Sequence, residues 1–443
     1  MEAKDSKLRA LSSRGLKVAI VHDWMVGGGA EQVVWQLHQL FPKAPIYTSY
    51  CSEQWHKKLA PAKIITGYLQ HWPFSRLRKY VPLLRIMWFS KLDLSSYDLV
   101  ISSSGAEAKG VRVGPKRRSW LSRLFVAQGG NEDRKGGVQE STLTADRSSQ
   151  HSDTDKSSGG VGGYGVEQVT ASRKPMHVCY CHAPTHYYWE RYEQYLAHPG
   201  FGFFDPLARF GLKLLIGPLR WWDKKAAQRP DHMLANSNYT KDQINKYYGR
   251  DSTVIHPPVD TERFSIPNYH QSPISQSRHG FVVAGRQTPY KRFDLAIEAT
   301  GQLNAPLLVI GRGPDHKKLI KLAGRNVTFL TRVSDEELPR RFAEAEGFIF
   351  PGIDDFGIVA VEAMAAGTPV IAYKGGGALD YVIPGKSGLF FESQTPASLV
   401  ETLRRFNPSK FNNEEIAKHA QTFSEKQFIQ NIKRYLQSVK IRI

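Results

Sequence analysis

Short apolar runs alternate with amphipathic stretches along almost the whole chain. The apolar runs predict strands at Lys17–His22, Ala44–Tyr50, Lys63–Thr66, Asp98–Ser102, His177–His182, His232–Asn236 and Thr253–His256. A second series follows at Phe281–Arg286, Pro306–Gly311, Val327–Leu330, Gly347–Phe350 and Pro369–Tyr373. Between the runs, apolar residues recur at helical spacing. Ala30–Phe41 sets Val33, Val34, Leu37, Leu40 and Phe41 on one face, and Phe293–Leu303 repeats the period. Ser334-Asp-Glu-Glu337 has the form of a capping box ahead of Leu338 and Phe342. Strands that alternate with helices predict an α/β fold with parallel sheets covered on both faces.

The alternation breaks at Ile255-His-Pro-Pro-Val-Asp-Thr-Glu-Arg-Phe264, where two prolines forbid a strand ladder, and a polar run over 268–279 follows. The break divides the chain into residues 1–258 and 259–423, with a terminal helix over 424–443. Each part reads as a doubly wound, Rossmann-like domain. Two such domains would face each other across a cleft, with ligand loops at the carboxyl ends of their strands. From about 114 to 175 the sequence turns rich in Ser, Gly, Asp and Lys, and its apolar content is too low to offset chain entropy. That stretch is expected to be a disordered insertion.

With 443 residues the chain exceeds what one hydrophobic core organises, which fits the two-domain division. No run approaches the ~18 apolar residues of a membrane span, and the polar N-terminus lacks a signal-peptide pattern. Cys51, Cys179 and Cys181 are the three cysteines, and the last two fall on one strand face, a poor geometry for a disulfide. A reduced, cytoplasmic protein is expected. The net charge of +19 suits an anionic substrate or surface, and no nucleic-acid motif is present. Basic and aromatic residues mix over 71–89 and 211–225. Such mixtures suit an anionic leaflet at the inner face of the membrane, or equally a packed helix with snorkelling cations.

The most telling segment is Pro351-Gly-Ile-Asp-Asp-Phe-Gly-Ile-Val-Ala-Val-Glu362. Asp354 ends a predicted strand-to-helix loop, and Glu362 lies about two turns along the helix. A helix N-terminus receives phosphate, and carboxylates accept hydrogen bonds from hydroxyls, so a phosphorylated, hydroxyl-rich ligand fits. In Gly285-Arg-Gln-Thr-Pro-Tyr-Lys291, Arg286 leaves a strand end and Lys291 stands near a helix start. Cations gathered there suit a diphosphate; solvated surface cations are the plainer reading. Gly311 and Gly313 make a turn after a strand, and Gly27, Gly28 and Gly29 make another, both open to close backbone approach. His182 ends a strand. His182 and His186 are four apart, but Pro184 argues against the helix a shared metal would need. The aromatics Tyr187, Tyr188, Trp189, Tyr192 and Tyr195 suit either sugar stacking or packing.

Taken in order, Gly28-Gly29-Ala30-Glu31, Tyr180-Cys-His-Ala-Pro184, Ala235-Asn-Ser237, Pro257-Pro-Val-Asp260, Gly285-Arg286 with Lys291, and Asp354 through Glu362 with Ala366-Gly-Thr-Pro-Val370 resemble glycosyltransferase family 4. These are retaining enzymes of GT-B fold. Within the family the chain is similar to mannosyltransferases of polysaccharide assembly. The resemblance implies that Arg286 and Lys291 hold the donor diphosphate, that Glu362 binds ribose and that Asp354 takes sugar hydroxyls. It also implies that the amides of Phe356, Gly357, Ile358 and Val359 face phosphate and sugar. Gly28 and Gly29 would line the phosphate and acceptor side, His182 would lie beside the reacting carbon, and Gly311, Arg332 and Val333 would meet the nucleoside. Two departures stand out. The family's first acid is usually Glu, where this chain has Asp354 followed by Asp355. The subgroup often has Arg and Asp where this chain has His186 and Glu190.

The expected function is hexose transfer, with GDP-mannose or a relative as donor substrate and a glycan or lipid-linked acceptor. No metal and no further cofactor is implied. An epimerase or sugar phosphorylase of the same fold, and a non-catalytic protein binding polyanions or membranes, are the alternatives.

Overall fold

The computed structural model describes residues 15–77, 81–114, 174–197, 205–265 and 278–441. The insertion expected at 114–175 and most of the polar run over 268–279 lie outside the described residues. Among the described residues, seven strands build a first sheet: β1 (Val18–His22), β2 (Ile46–Thr48), β3 (Ile64–Ile65), β4 (Leu99–Ser104), β5 (Met176–Cys181), β6 (His232–Ala235) and β7 (Thr253–Val254). Their order is β3-β2-β1-β4-β5-β6-β7, parallel throughout. Six more build a second: β8 (Phe281–Ala284), β9 (Leu307–Ile310), β10 (Val327–Leu330), β11 (Gly347–Phe350), β12 (Val370–Tyr373) and β13 (Gly388–Phe391). Their order is β10-β9-β8-β11-β12-β13, again parallel. The sequence pattern placed twelve of these strands and missed β13, whose Gly-Leu-Phe-Phe opens on a glycine directly after the turn-like Pro384-Gly-Lys-Ser387.

The central strands of both sheets are buried on both faces, as parallel strands covered by helices are, and the edge strands β3, β7 and β10 are only partly buried. Ile20, Ile101, Val178 and Tyr180 enter one core of the first lobe, and Ala19, Val21 and Val100 enter the other. Helix Gly29–Leu40 supplies Val33, Val34 and Leu37 to the former. The last helix, Glu425–Ser438, joins the same core through Phe428, Ile432 and Leu436, so the chain's end returns to the first lobe. Where the chain passes from the first lobe to the second it runs beside the segment that leads into this helix: Val259 N–H donates to the Phe423 carbonyl at 3.0 Å, and Glu425 N–H to that of Val259 at 3.2 Å.

The capping box at Ser334 is half formed. Ser334 Oγ accepts from Glu337 N–H at 3.1 Å, but the Glu337 carboxylate turns to Arg341 at 2.7 Å instead of reaching back. Cys51, Cys179 and Cys181 are buried free thiols. Among the described residues, no helix is long and apolar enough to cross a membrane.

Candidate functional site

The direction of winding reverses between β1 and β4 in the first sheet, and between β8 and β11 in the second. Ligands of open α/β sheets bind at such switch points, outside the carboxyl ends of the strands. The candidate residues all fall in loops or helix starts that follow those ends. Gly28 and Gly29 follow β1, and His182 follows β5. Arg286 and Lys291 follow β8, Gly311 follows β9, and Arg332 and Val333 follow β10. Asp354, Phe356, Gly357, Ile358, Val359 and Glu362 follow β11.

In the second lobe, Lys291 closes the short turn Pro289–Lys291, and its ammonium bonds the Asp354 carboxylate. Both side chains are largely buried, at 15% and 12% exposure. Burial opposes the charge on Lys291, but Asp354 outweighs it and raises the lysine's pKa. Arg286 stays exposed at the tip of β8. Helix Ile358–Ala365 starts at Gly357, whose φ is 93°. A Cβ at Gly357 would lie 2.5 Å from Phe350 and 2.8 Å from the Tyr381 hydroxyl, so position 357 needs glycine for both conformation and space. The buried Phe356 ring anchors the turn against Tyr381 and Phe423. Glu362 sits one turn on and not the two that the spacing from Asp354 suggested, because the helix begins only at Ile358. Burial pushes its carboxyl up to about 7, Arg263 draws it down and Asp260 adds to the rise.

Gly311 and Gly313 have a packing reason that the sequence did not disclose. Gly311 presses on the Gly285 carbonyl and Gly313 on that of Gln287, where neither site has room for a Cβ. Buried Gln287 ties the two loops by donating to Gly311 O at 2.8 Å and bonding His316 Nδ1 at 2.7 Å. Arg332 is exposed, and Val333 packs on the second-lobe core.

In the first lobe, Glu31 accepts from the N–H groups of Val26 and Gly27 at 3.2 and 2.9 Å, which shapes the glycine turn. Asp23 is buried and accepts from Gly105, Ala106 and Ala108 N–H at 2.8, 2.9 and 2.7 Å, tying β1 to the loop after β4. His182 bonds Ser103 Oγ at 2.7 Å. Burial, with His22 beside it, drives the His182 pKa down to about 3, so the ring is neutral near pH 7. His186 takes a different partner, Asp355, so the two histidines share no ligand position.

The segment after His182 is fixed by buried charge. Lys109 meets Asp223 at 2.7 Å, and Thr185 and Trp189 donate to the same carboxylate at 2.9 and 2.8 Å. Arg85 grips Glu107 at 2.7 and 2.9 Å, and Tyr187 donates to Glu107 at 2.8 Å. Trp189 stacks on Tyr247 at 5.0 Å. Packing thus accounts for Tyr187, Tyr188 and Trp189.

This fixed segment reaches across to the second lobe. His186 Nε2 meets Asp355 at 2.9 Å, with Glu190 3.7 Å from Nδ1. Burial alone would neutralise His186, but Asp355 and Glu190 hold its pKa up at about 9. The three residues have a spacing that could hold a metal ion; as it stands, Asp355 pairs with Nε2, and the buried Nδ1, 3.7 Å from Glu190, makes no hydrogen bond. Arg191 donates to the Ile353 carbonyl at 3.3 Å and lies 3.8 Å from the centre of the Tyr290 ring. Asp380 accepts from Asn238 N–H at 2.8 Å and meets His256 at 3.0 Å. Finally, a Cβ on Gly29 would lie 2.5 Å from Ile358 Cδ1, so the glycine turn of one lobe abuts the helix start of the other. Neither Arg191 nor Asp380 belongs to a spaced motif, so no sequence pattern marked them as lobe-bridging residues.

The comparisons with known proteins fit this arrangement. The Glycosyltransferase Family 4 description matches residues 161–263, and Glycosyl transferases group 1 matches residues 266–423. The chain belongs to glycosyltransferase family 4. A GDP-mannose-dependent alpha-(1-6)-phosphatidylinositol monomannoside mannosyltransferase of Mycolicibacterium smegmatis is 31% identical over 178 residues, covering 34% of this chain and 46% of that protein. A D-inositol 3-phosphate glycosyltransferase of Streptomyces avermitilis is 29% identical over 207 residues, covering 40% and 44%. The chain spans about half the length of the curated relatives it matches. Anabaena HepE, solved with UDP and glucose, superposes with a TM-score of 0.59 at 17% identity over 96% of this chain and all (100%) of that one. Sucrose-phosphate synthase from Thermosynechococcus elongatus gives 0.60 at 16% identity, covering 96% and 99%. The family 4 fold is GT-B, two doubly wound lobes.

Proposed function

We propose that this protein moves a hexose from a nucleotide-diphosphate sugar to a glycan or lipid-linked acceptor, retaining the configuration of the transferred carbon. The observation that carries the reading is the second-lobe switch point. There Lys291, Asp354 and the helix start at Gly357 meet under the Gly28–Gly29 turn of the other lobe. The favoured donor is GDP-mannose, supported by the 31% identity to a mannosyltransferase that uses it. In this reading the bond from the sugar carbon to the diphosphate oxygen breaks, and a bond to the acceptor hydroxyl forms on the same face. The acceptor's proton passes to the leaving phosphate. Arg286, Lys291 and the amides of Gly357 to Val359 meet the developing charge without a metal ion, as preorganised donors do. Glu362 accepts from ribose hydroxyls, Asp354 from sugar hydroxyls, and neutral His182 lies beside the reacting carbon. Arg332 and Val333 flank the base.

The acceptor side of the reading is membrane-proximal, at the cytoplasmic leaflet. Helices Pro82–Lys91 and Asp205–Ala226 both pack on the turn Ala108–Gly110. They leave Leu83, Met87, Leu207, Phe210, Leu214 and Trp221 exposed, with Lys225 4.7 Å from the centre of the Trp221 ring. Apolar side chains with basic neighbours suit an anionic interface.

Labelled GDP-mannose and UDP-glucose, offered with free and lipid-linked glycans, test the assignment. The expected result is label in the acceptor with unchanged anomeric configuration, and a loss of about a hundredfold in Lys291→Ala and Glu362→Ala. Near-normal transfer by both variants would overturn it.

A further inference from the structure

Lys291 is committed to a carboxylate. Its ammonium bonds Asp354, and the pair is mostly withdrawn from water. A buried cation needs a partner, because its desolvation is expensive unless a counter-charge repays it. The same ammonium is the group best placed for the donor diphosphate. Phosphate brought beside Asp354 would repel that carboxylate while competing for Lys291. Asp354 is also the shorter acid at a position where the family usually carries Glu. The backbone around it is held independently of its side chain, since the Asp354 carbonyl accepts from Gly377 N–H at 2.8 Å. The carboxylate can therefore change partner without the loop unfolding.

We propose that Asp354 is the resting counter-ion of Lys291, and that donor binding exchanges it: phosphate takes the lysine, and the released carboxylate takes a hydroxyl of the sugar. The inference rests on the donor-site reading above and gives it an order of events. A bare nucleoside diphosphate would have to displace Asp354 and offer it nothing in return. A nucleotide sugar displaces it and supplies hydrogen-bond donors. One ion pair thereby favours the loaded donor over the spent nucleotide.

The exchange makes a prediction of opposite signs for one substitution. Asp354→Asn removes the competitor and the like charge, so it should bind bare nucleotide about three- to tenfold more tightly, as loss of an opposing charged contact implies. It should at the same time lose most sugar transfer, and it should lose the native preference for GDP-mannose over GDP. Calorimetric titration with GDP, UDP and GDP-mannose reads the affinities and the preference, and label transferred from GDP-mannose to the acceptor reads the transfer. Asp354→Glu should behave like the native chain, and Lys291→Ala should bind each nucleotide weakly. Asp354→Ser removes the same charge and gives the same expectation should the Asn variant melt early. Native protein that binds GDP or UDP, with either neutral variant binding it no tighter, would overturn the exchange and leave the donor site standing. Native protein that binds none of the three ligands would overturn the donor site and the exchange together.

Discussion

At the scale of single residues, the site is defined by charges whose ordinary behaviour burial has altered. Glu362 is the clearest. The native state keeps its proton up to about 7, where the unfolded chain has already lost it. Stability from this source is complete below the ordinary glutamate range and declines as pH rises through about 7. Glu362→Gln should therefore melt a few degrees above the native protein at pH 8, with the gain gone near pH 4. Native and variant melting curves that coincide at pH 8 would contradict this. The same residue is proposed to bind ribose, so stability gained by the substitution would be bought with lost donor affinity. His182 and His186 show the converse dependence on surroundings. Four residues apart, one ring is driven neutral by burial and the other is held charged by Asp355.

At the scale of elements, the strand-to-helix turn after β11 concentrates the constraints. Gly357 combines a positive φ with a site closed by Phe350 and Tyr381, whereas Gly385, with φ 76°, has open space around it. Gly357→Ala should cost more than the ~1–3 kcal/mol of a strained backbone alone, and Gly385→Ala no more than that. Denaturant unfolding of the two variants side by side measures the difference, and equal losses would refute the packing argument. This turn was legible in the sequence because its residues are local: strand, glycine, helix and acid follow within twelve positions. Most strands were legible for the same reason, being apolar runs between turn residues. β13 was not, although it is as long as β8 to β12, because it opens on Gly388 straight after the turn-like run Pro384-Gly-Lys-Ser387. The link from His186 to Asp355 was not legible either, because it joins positions 169 residues apart.

At the scale of the whole molecule, the sequence showed that two doubly wound halves exist, but not how the last helix closes on the first lobe. The hydrophobic face of Glu425–Ser438 says only that it packs somewhere. The exposed face of Asp205–Ala226 was ambiguous from sequence between packing and a membrane. The structure divides the roles, with Leu219, Asp223 and Ala226 packed and Leu214 and Trp221 outside. If the outer face meets an anionic leaflet, the protein should sediment with phosphatidylserine vesicles and not with phosphatidylcholine alone. Leu214→Glu with Trp221→Glu should abolish this without changing transfer to a soluble acceptor; unaltered sedimentation would exclude the face. In the proposed function, loops from β8 and β11 form one donor-diphosphate site. A thermal-shift titration with GDP-mannose tests it most directly, because ligand binding to the native state raises its melting temperature. The native protein should show a saturable rise that Lys291→Ala and Glu362→Ala each largely remove, whereas an equal rise in all three proteins would rule out a shared site.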